Sequence, residues 1–429
     1  MAEEVQLPSS IELNSVNLTT GDGRIVDITD LTFEVSIYEK LSQTAVFGRI
    51  VIIDATNVLT AANISGQEVL TFNISKQDND DEHIFHVLKV EQAQIVNETT
   101  TQYTLTFIDR SYVLDSMSLI SQAYEGTIDE IMKEIYKNEF EEEFEKADPC
   151  TGTYRFVIPN WKPLHTLSWL SKRAKDTNGI PMAFFKTFRR GPKLLSFDTM
   201  MKDDNIVTEY FINMTTDPET VAQGNQYDYA NIAKKIISFR VKEHGNALES
   251  IRQGTYAQTH INVDTTNKSA ITKDFSGEDI FNKNPRLNKF LPTTMKAKYG
   301  KDGKNITELS RSKQVISYNQ GYNFGDEFLN YDSETEDIAT MRTNYNGLTG
   351  TYLYEIIVPG RFDLEPGRLV NIVFPSNRIQ NEKTPEENID NKRSGKHLIV
   401  SCHHNFKKDN YNCILEVATD GFGEEYGTE

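Results

Sequence analysis

Cysteine is scarce: Cys150, Cys402 and Cys413 are the only three in 429 residues, and no two form a C-x-x-C pair. That excludes a disulfide framework and leaves reduced thiols as the expectation. Tryptophan is scarcer still. The two present, Trp161 and Trp169, lie in a segment that reads as core, which leaves no exposed indole platforms for a sugar-binding surface. No long apolar run exists. The longest, Val46 to Ile53, is broken by Gly48 and Arg49 and falls far short of the ~20 residues of a helical membrane span. The first ten residues, MAEEVQLPSS, are acidic where a secretion signal needs basic residues, so folding in a cytoplasm is expected. Positive charge is also in deficit, 45 Lys and Arg against 63 Asp and Glu, for a net charge of −18. A nucleic-acid reader needs clustered cations, and the only tight group here is Lys186, Arg189 and Arg190.

What is present is enough apolar mass for several cores: 38% hydrophobic residues, with 23 Phe and 19 Tyr. The length exceeds one comfortable core, so two to four domains are expected. The first hundred residues read as strands. Leu31, Phe33, Val35 and Ile37 alternate with polar residues, and the same period of two returns at Leu70, Phe72 and Ile74 and at Tyr103, Leu105 and Phe107. Gly21-Asp22-Gly23 supplies a hairpin turn, and Gly48 inside a strand suggests a bulge or sharp bend.

The period then changes. Thr127 and Glu130 have capping-box spacing before a helical stripe of Ile128, Ile131, Met132 and Ile135, prolonged by Tyr136, Phe140 and Phe144. A second helix is expected from Pro163, followed by strands at 181–186 and 194–198. Strands resume at 236–241 and 255–263. Residues 264–345 are polar and weakly periodic, and read as a long insertion. Strands follow at 351–358, 368–374, 397–406 and 411–417, the last two forming a hairpin around residues 407–410. Pro366-Gly367 suits a type II turn.

The order of these motifs resembles that of the baseplate hub proteins of contractile-tailed phages, a tube-adaptor family related to the bases of VgrG-type spikes. Val35-Ser-Ile-Tyr-Glu39, Phe47-Gly48-Arg-Ile50, Ile53-Asp54 and Ile64-Ser-Gly66-Gln-Glu68 are similar to the family's first barrel. Phe156-Val-Ile-Pro159-Asn-Trp161-Lys-Pro163, residues 167–174, 183–187 and 195–198 resemble its middle domain. Val358-Pro359-Gly360 with Leu364-Glu-Pro366-Gly367-Arg-Leu369-Val370 resembles its second barrel. The resemblance spans about three quarters of the chain, and 264–345 matches nothing in it. It implies an α+β fold: two antiparallel, tail-tube-like β-barrels with an inserted α/β domain and a long polar insertion. The expected divisions are a first barrel at 1–113, a middle domain at 114–215, a second barrel at 216–263 and 346–422, an insertion at 264–345 and an acidic tail at 423–429.

The function implied is structural. The subunit would form a homotrimer whose six barrels join a sixfold tail tube to a threefold spike or cell-puncturing protein, among other baseplate proteins. DNA would leave through the central channel without being bound. The location implied is the virion tail baseplate, assembled in the host cytoplasm, with no membrane insertion.

No catalytic constellation emerges. There is no G-x-S-x-G elbow, HExxH or GxxxxGK[ST] loop, and Glu141, Glu142, Glu143 and Glu145 read as a solvated helical face rather than a hydrolytic pair. His404 should lie opposite Cys413 across the last hairpin, but two ligands are not four. His83 and His86, three apart in a strand, point to opposite faces. Phe184, Phe185 and Phe188 beside Arg189 and Arg190 could stack bases, though packing explains them more simply. No metal, cofactor or catalytic residue is expected. The alternatives are a hub-associated cell-wall lytic enzyme and a carbohydrate- or receptor-binding tail protein.

Overall fold

A computed structural model describes residues 12–57, 62, 64, 66–76, 79–212, 233–264, 268–290, 303–308, 313–318, 334–376, 389–407 and 410–423. The fold is α+β and mostly strand. A first block holds β1 (Glu12–Thr19), β2 (Ile25–Asp27), β3 (Thr32–Lys40), β4 (Phe47–Asp54), β5 (Val69–Lys76), β6 (Asn79–Ile95) and β7 (Thr101–Ile108). Alternation drives it inward: Val16, Leu18, Val35, Ile37, Ile50, Ile52, Leu70, Phe72, Ile74, Leu105 and Phe107 are all fully buried in one core. Phe33 departs from the expected face. A register shift between Thr32 and Glu34 makes it the extra residue of a bulge, and it is half exposed. Gly48 is not a bulge, since the β3–β4 and β4–β7 ladders run through it without interruption. A Cβ there would overlap the Phe107 ring and the Ser36 carbonyl, so close packing requires the glycine.

The middle unit follows, with β8 (Ile120–Gly126), a helix Ile128–Phe140, β9 (Lys146–Ala147), β10 (Tyr154–Trp161), a helix Pro163–Ser171, β11 (Met182–Thr187) and β12 (Gly191–Ser196). The capping box forms, with the Thr127 amide donating to Glu130 at 3.2 Å. The helix stops earlier than its stripe suggested. Glu141 takes φ 59° in the left-handed region, so Phe144 packs beside the core from beyond the helix. Phe184 and Phe185 are buried in two different cores, and Trp161 and Trp169 pack edge to face at 5.2 Å against the first of them.

The second block contains β13 (Ile206–Phe211) and β14 (Ser238–His244). Next come β15 (Ala257–Asp264), β16 (Ser269–Ser276) and β17 (Gln314–Tyr318), then β18 (Tyr352–Pro359), β19 (Leu369–Val373), β20 (Gly395–Lys407) and β21 (Asn410–Thr419). The hairpin expected at 407–410 is present, with Lys407 paired to Asn410. The boundary at 263 needs correcting. β15 does not join the second block but pairs with β16 and β17 in a separate three-stranded sheet. The insertion is therefore partly a small sheet begun by residues 257–263. A helix Glu334–Thr351 leads back to β18, and the tail expected at 423–429 lies outside the described residues from 424 onward.

Candidate functional site

Both blocks belong to one 13-stranded hydrogen-bonded sheet. Within it the strand order of the first block, β3-β4-β7-β6-β5-β1, is repeated by the second as β14-β18-β21-β20-β19-β13. Each position corresponds in chain order as well: first strand to first, last to last. One pairing differs in direction, β1 being antiparallel to β5 while β13 is parallel to β19. No ladder joins the two outer strands of either block among the described residues.

The joint between the blocks is built from this repeat. β20 is a long strand whose first part, Gly395–Leu398, pairs with β19. At Val400 the register shifts, and Ser401–Lys407 then pairs antiparallel with Glu34–Lys40 of β3. The long strand β6 has the same plan. Its first part pairs with β5 up to His86, the register on β7 shifts between Val87 and Lys89, and the remainder runs on to Ile95. There the likeness stops. No described strand lies beyond Val87 on the side of β6 away from β7, nor beside the outer edge of β14, the counterpart of β3. Both edges carry exposed apolar side chains: Val90 (39%) and Ile95 (75%) on β6, Val241 (48%) on β14 and Ile237 (58%) just before it.

Beneath the joint lies a polar cluster that sequence reading caught only in part. His404 faces Cys413 across the β20–β21 ladder, as its spacing predicted. Cys402, two residues earlier on the same face, brings Sγ to 3.2 Å from His404 Nε2, and Cys413 Sγ lies 3.4 Å from Nδ1. Glu39 arrives from β3, opposite Cys402, with Oε2 3.7 Å from Nε2. All four residues are 2% exposed or less. The period of two could have marked Cys402; Glu39 could not be found, because the β3–β20 pairing spans the whole chain. Burial works against charge on His404, but Cys413 and Glu39 overcome it and hold the imidazole up at about 10. Burial also opposes the Cys413 thiolate, which Cys402 and His404 nonetheless hold well below the ordinary thiol range. The arrangement has the parts of a thiol–imidazole–carboxylate relay, yet no substrate can reach atoms this deeply enclosed.

The remaining sequence candidates are structural ties. Lys186 is buried, with Nζ 2.8 Å from Glu142 and 3.4 Å from Asp109. Burial would depress it, but Asp109, Tyr136 and Glu142 keep it above its ordinary value. Lys193 bridges Glu365 at 2.7 Å and Glu145 at 3.3 Å, joining the middle unit to the second block. Phe188 packs its ring 4.9 Å from His404, and Arg189 lies over Phe362. Glu141 is exposed and paired to Arg110 at 2.9 Å. His83 is buried and His86 half-buried.

No family model matches the chain, and no curated protein matches it in sequence. Solved structures do. The tail protein from Neisseria meningitidis MC58 superposes with a TM-score of 0.54 at 10% identity, over 95% of this chain and 97% of that one. The 43 kDa tail protein of prophage MuSo2 from Shewanella oneidensis gives 0.52 at 11%, over 95% and 98%. This chain has the fold of both. The likeness runs nearly end to end in each pair, so it covers both blocks, the middle unit and their order. Among the described residues no helix is long and apolar enough to cross a membrane.

Proposed function

We propose that the chain is a structural subunit of a phage tail baseplate, a central hub that works mechanically and not as an enzyme. The observation that carries the reading is the repeated strand order with one joint made and its counterpart left open. β3 and the far half of β20 meet within the chain; the outer side of β14 and the side of β6's far half away from β7 are the equivalent edges, and no described strand lies against either. A second copy supplies each with the other. Such head-to-tail pairing generates a ring when its rotation closes. With two equivalent blocks per subunit, three subunits place six similar β units around an axis, each unit acting as one barrel wall. That ring would match a sixfold tail tube on one side and a threefold spike on the other. A net charge of −18 fits a lumen through which DNA slides without binding. The fold shared with two tail proteins supports the setting.

Native mass spectrometry of the purified full chain tests this. A trimer is the expected species, and a chain that stays monomeric at every concentration and salt overturns it.

A further inference from the structure

We infer that Cys402, His404 and Cys413, with Glu39 beside them, form a buried structural site for a zinc-like transition-metal ion, set beneath the β3–β20 joint. The Cys402 and Cys413 sulfurs and an imidazole nitrogen lie within 4.8 Å of one another, and all three side chains are buried. Glu39 adjoins the set. Its Oε2 is buried without a hydrogen-bond partner and lies 3.7 Å from His404 Nε2, an arrangement costly to leave unanswered in a protein interior.

The surroundings hold each ligand as metal sites hold theirs. The Tyr411 hydroxyl sits 2.8 Å from His404 Nδ1 and itself donates to the Arg361 carbonyl at 3.0 Å. Tyr411 must therefore accept from Nδ1–H, so it is the Nε2 proton that leaves on loading, freeing the lone pair on the side of Cys402 and Glu39. The Phe188 amide donates to Glu39 Oε1 at 2.6 Å, fixing the carboxylate with its other oxygen turned inward. The Arg361 carbonyl lies 3.7 Å from Cys413 Sγ. Two sulfurs and one imidazole make a donor set suited to Zn²⁺, and the buried Glu39 carboxylate is at hand as the fourth ligand. Loading the site displaces two protons to solvent, one from the Cys402 thiol and one from His404 Nε2, and joins the donors; nothing is oxidised or reduced. Because Glu39 belongs to the first block and the other three residues to the second, the ion clamps the two blocks together.

The full chain, purified under reducing conditions from cells grown with zinc, is to be assayed by elemental mass spectrometry. About one zinc per chain is expected, falling to less than about a tenth in Cys402→Ser/Cys413→Ser and unchanged in Cys150→Ser. Should the double variant fail to fold, wild-type chain refolded with Co²⁺ decides. Thiolate-to-cobalt charge-transfer bands together with intense tetrahedral ligand-field bands support the site. A chain that carries no zinc and shows no such bands overturns it, as does a Cys402–Cys413 disulfide found in the freshly purified protein. Neither readout depends on oligomeric state, so this site and the ring reading stand or fall separately.

Discussion

His397 shows what burial does to one titratable side chain. It is fully enclosed, and its Nδ1 is tied to the Gly395 carbonyl at 2.9 Å. Burial depresses it to about 4, against 6.5 in the open. Between those values the unfolded chain binds a proton that the folded chain refuses, so stability falls as pH drops from 6.5 toward 4. The cost at pH 5 is roughly 2 kcal/mol, the free energy of the proton taken up only on unfolding. His397→Phe should shrink the difference between the urea-unfolding free energies at pH 7 and pH 5 by about that amount; an unchanged difference would show that the ring is solvated. Gly48 acts at the same scale through volume. Gly48→Ala should cost about 1–3 kcal/mol in urea unfolding, the usual penalty of overpacking, because a methyl there meets the Phe107 ring and the Ser36 carbonyl. Equal stability of the variant would mean that the β3–β4–β7 backbone yields freely.

Elements are held in register here by charge as well as by apolar burial. Lys193 on β12 and Glu365, just before β19, are each only 5% exposed and meet at 2.7 Å. Removing Lys193 leaves Glu365 to Arg190, a more exposed partner 3.6 Å away, in a medium that solvates the carboxylate poorly. Lys193→Met should cost about 3 kcal/mol or more, while Lys193→Met with Glu365→Leu should recover most of the loss. Thermal or urea unfolding of both variants measures this, and a double variant no better than the single one would show that packing, not the stranded charge, sets the cost. Helix ends follow local rules: the Ile128–Phe140 helix begins at a capping box and ends where Glu141 turns left-handed, two features within one turn of each terminus. The first was legible from Thr127 and Glu130. The second was not, because the apolar stripe continues through Phe144, which reaches the same core from outside the helix.

At the scale of the whole molecule, the two open edges make a prediction about assembly. Val90→Glu on β6 and Val241→Glu on β14 replace side chains that the isolated subunit already exposes, 39% and 48%, so neither should disturb folding. Each alone should convert the native trimer to monomer, and mixing the two single variants should yield dimers at most, because only one pair of intact edges remains to join them. Trimers persisting in both variants would place the contact elsewhere.

Local order was written in the chain itself. The period of two identified the strands at Val35–Ile37, Leu70–Ile74 and Leu105–Phe107, and Pro163 and Thr127 marked helix starts, because backbone geometry and burial act over a few neighbouring residues. Pairing across the chain was not. That β20 leaves β19 for β3 and that Glu39 comes to face Cys402 depend on contacts between residues hundreds of positions apart, and β15 deserts the second block for a β17 partner tens of positions away. No local pattern records such partners. They are selected by which edges remain unpaired once every apolar face is covered, and only the folded chain resolves that.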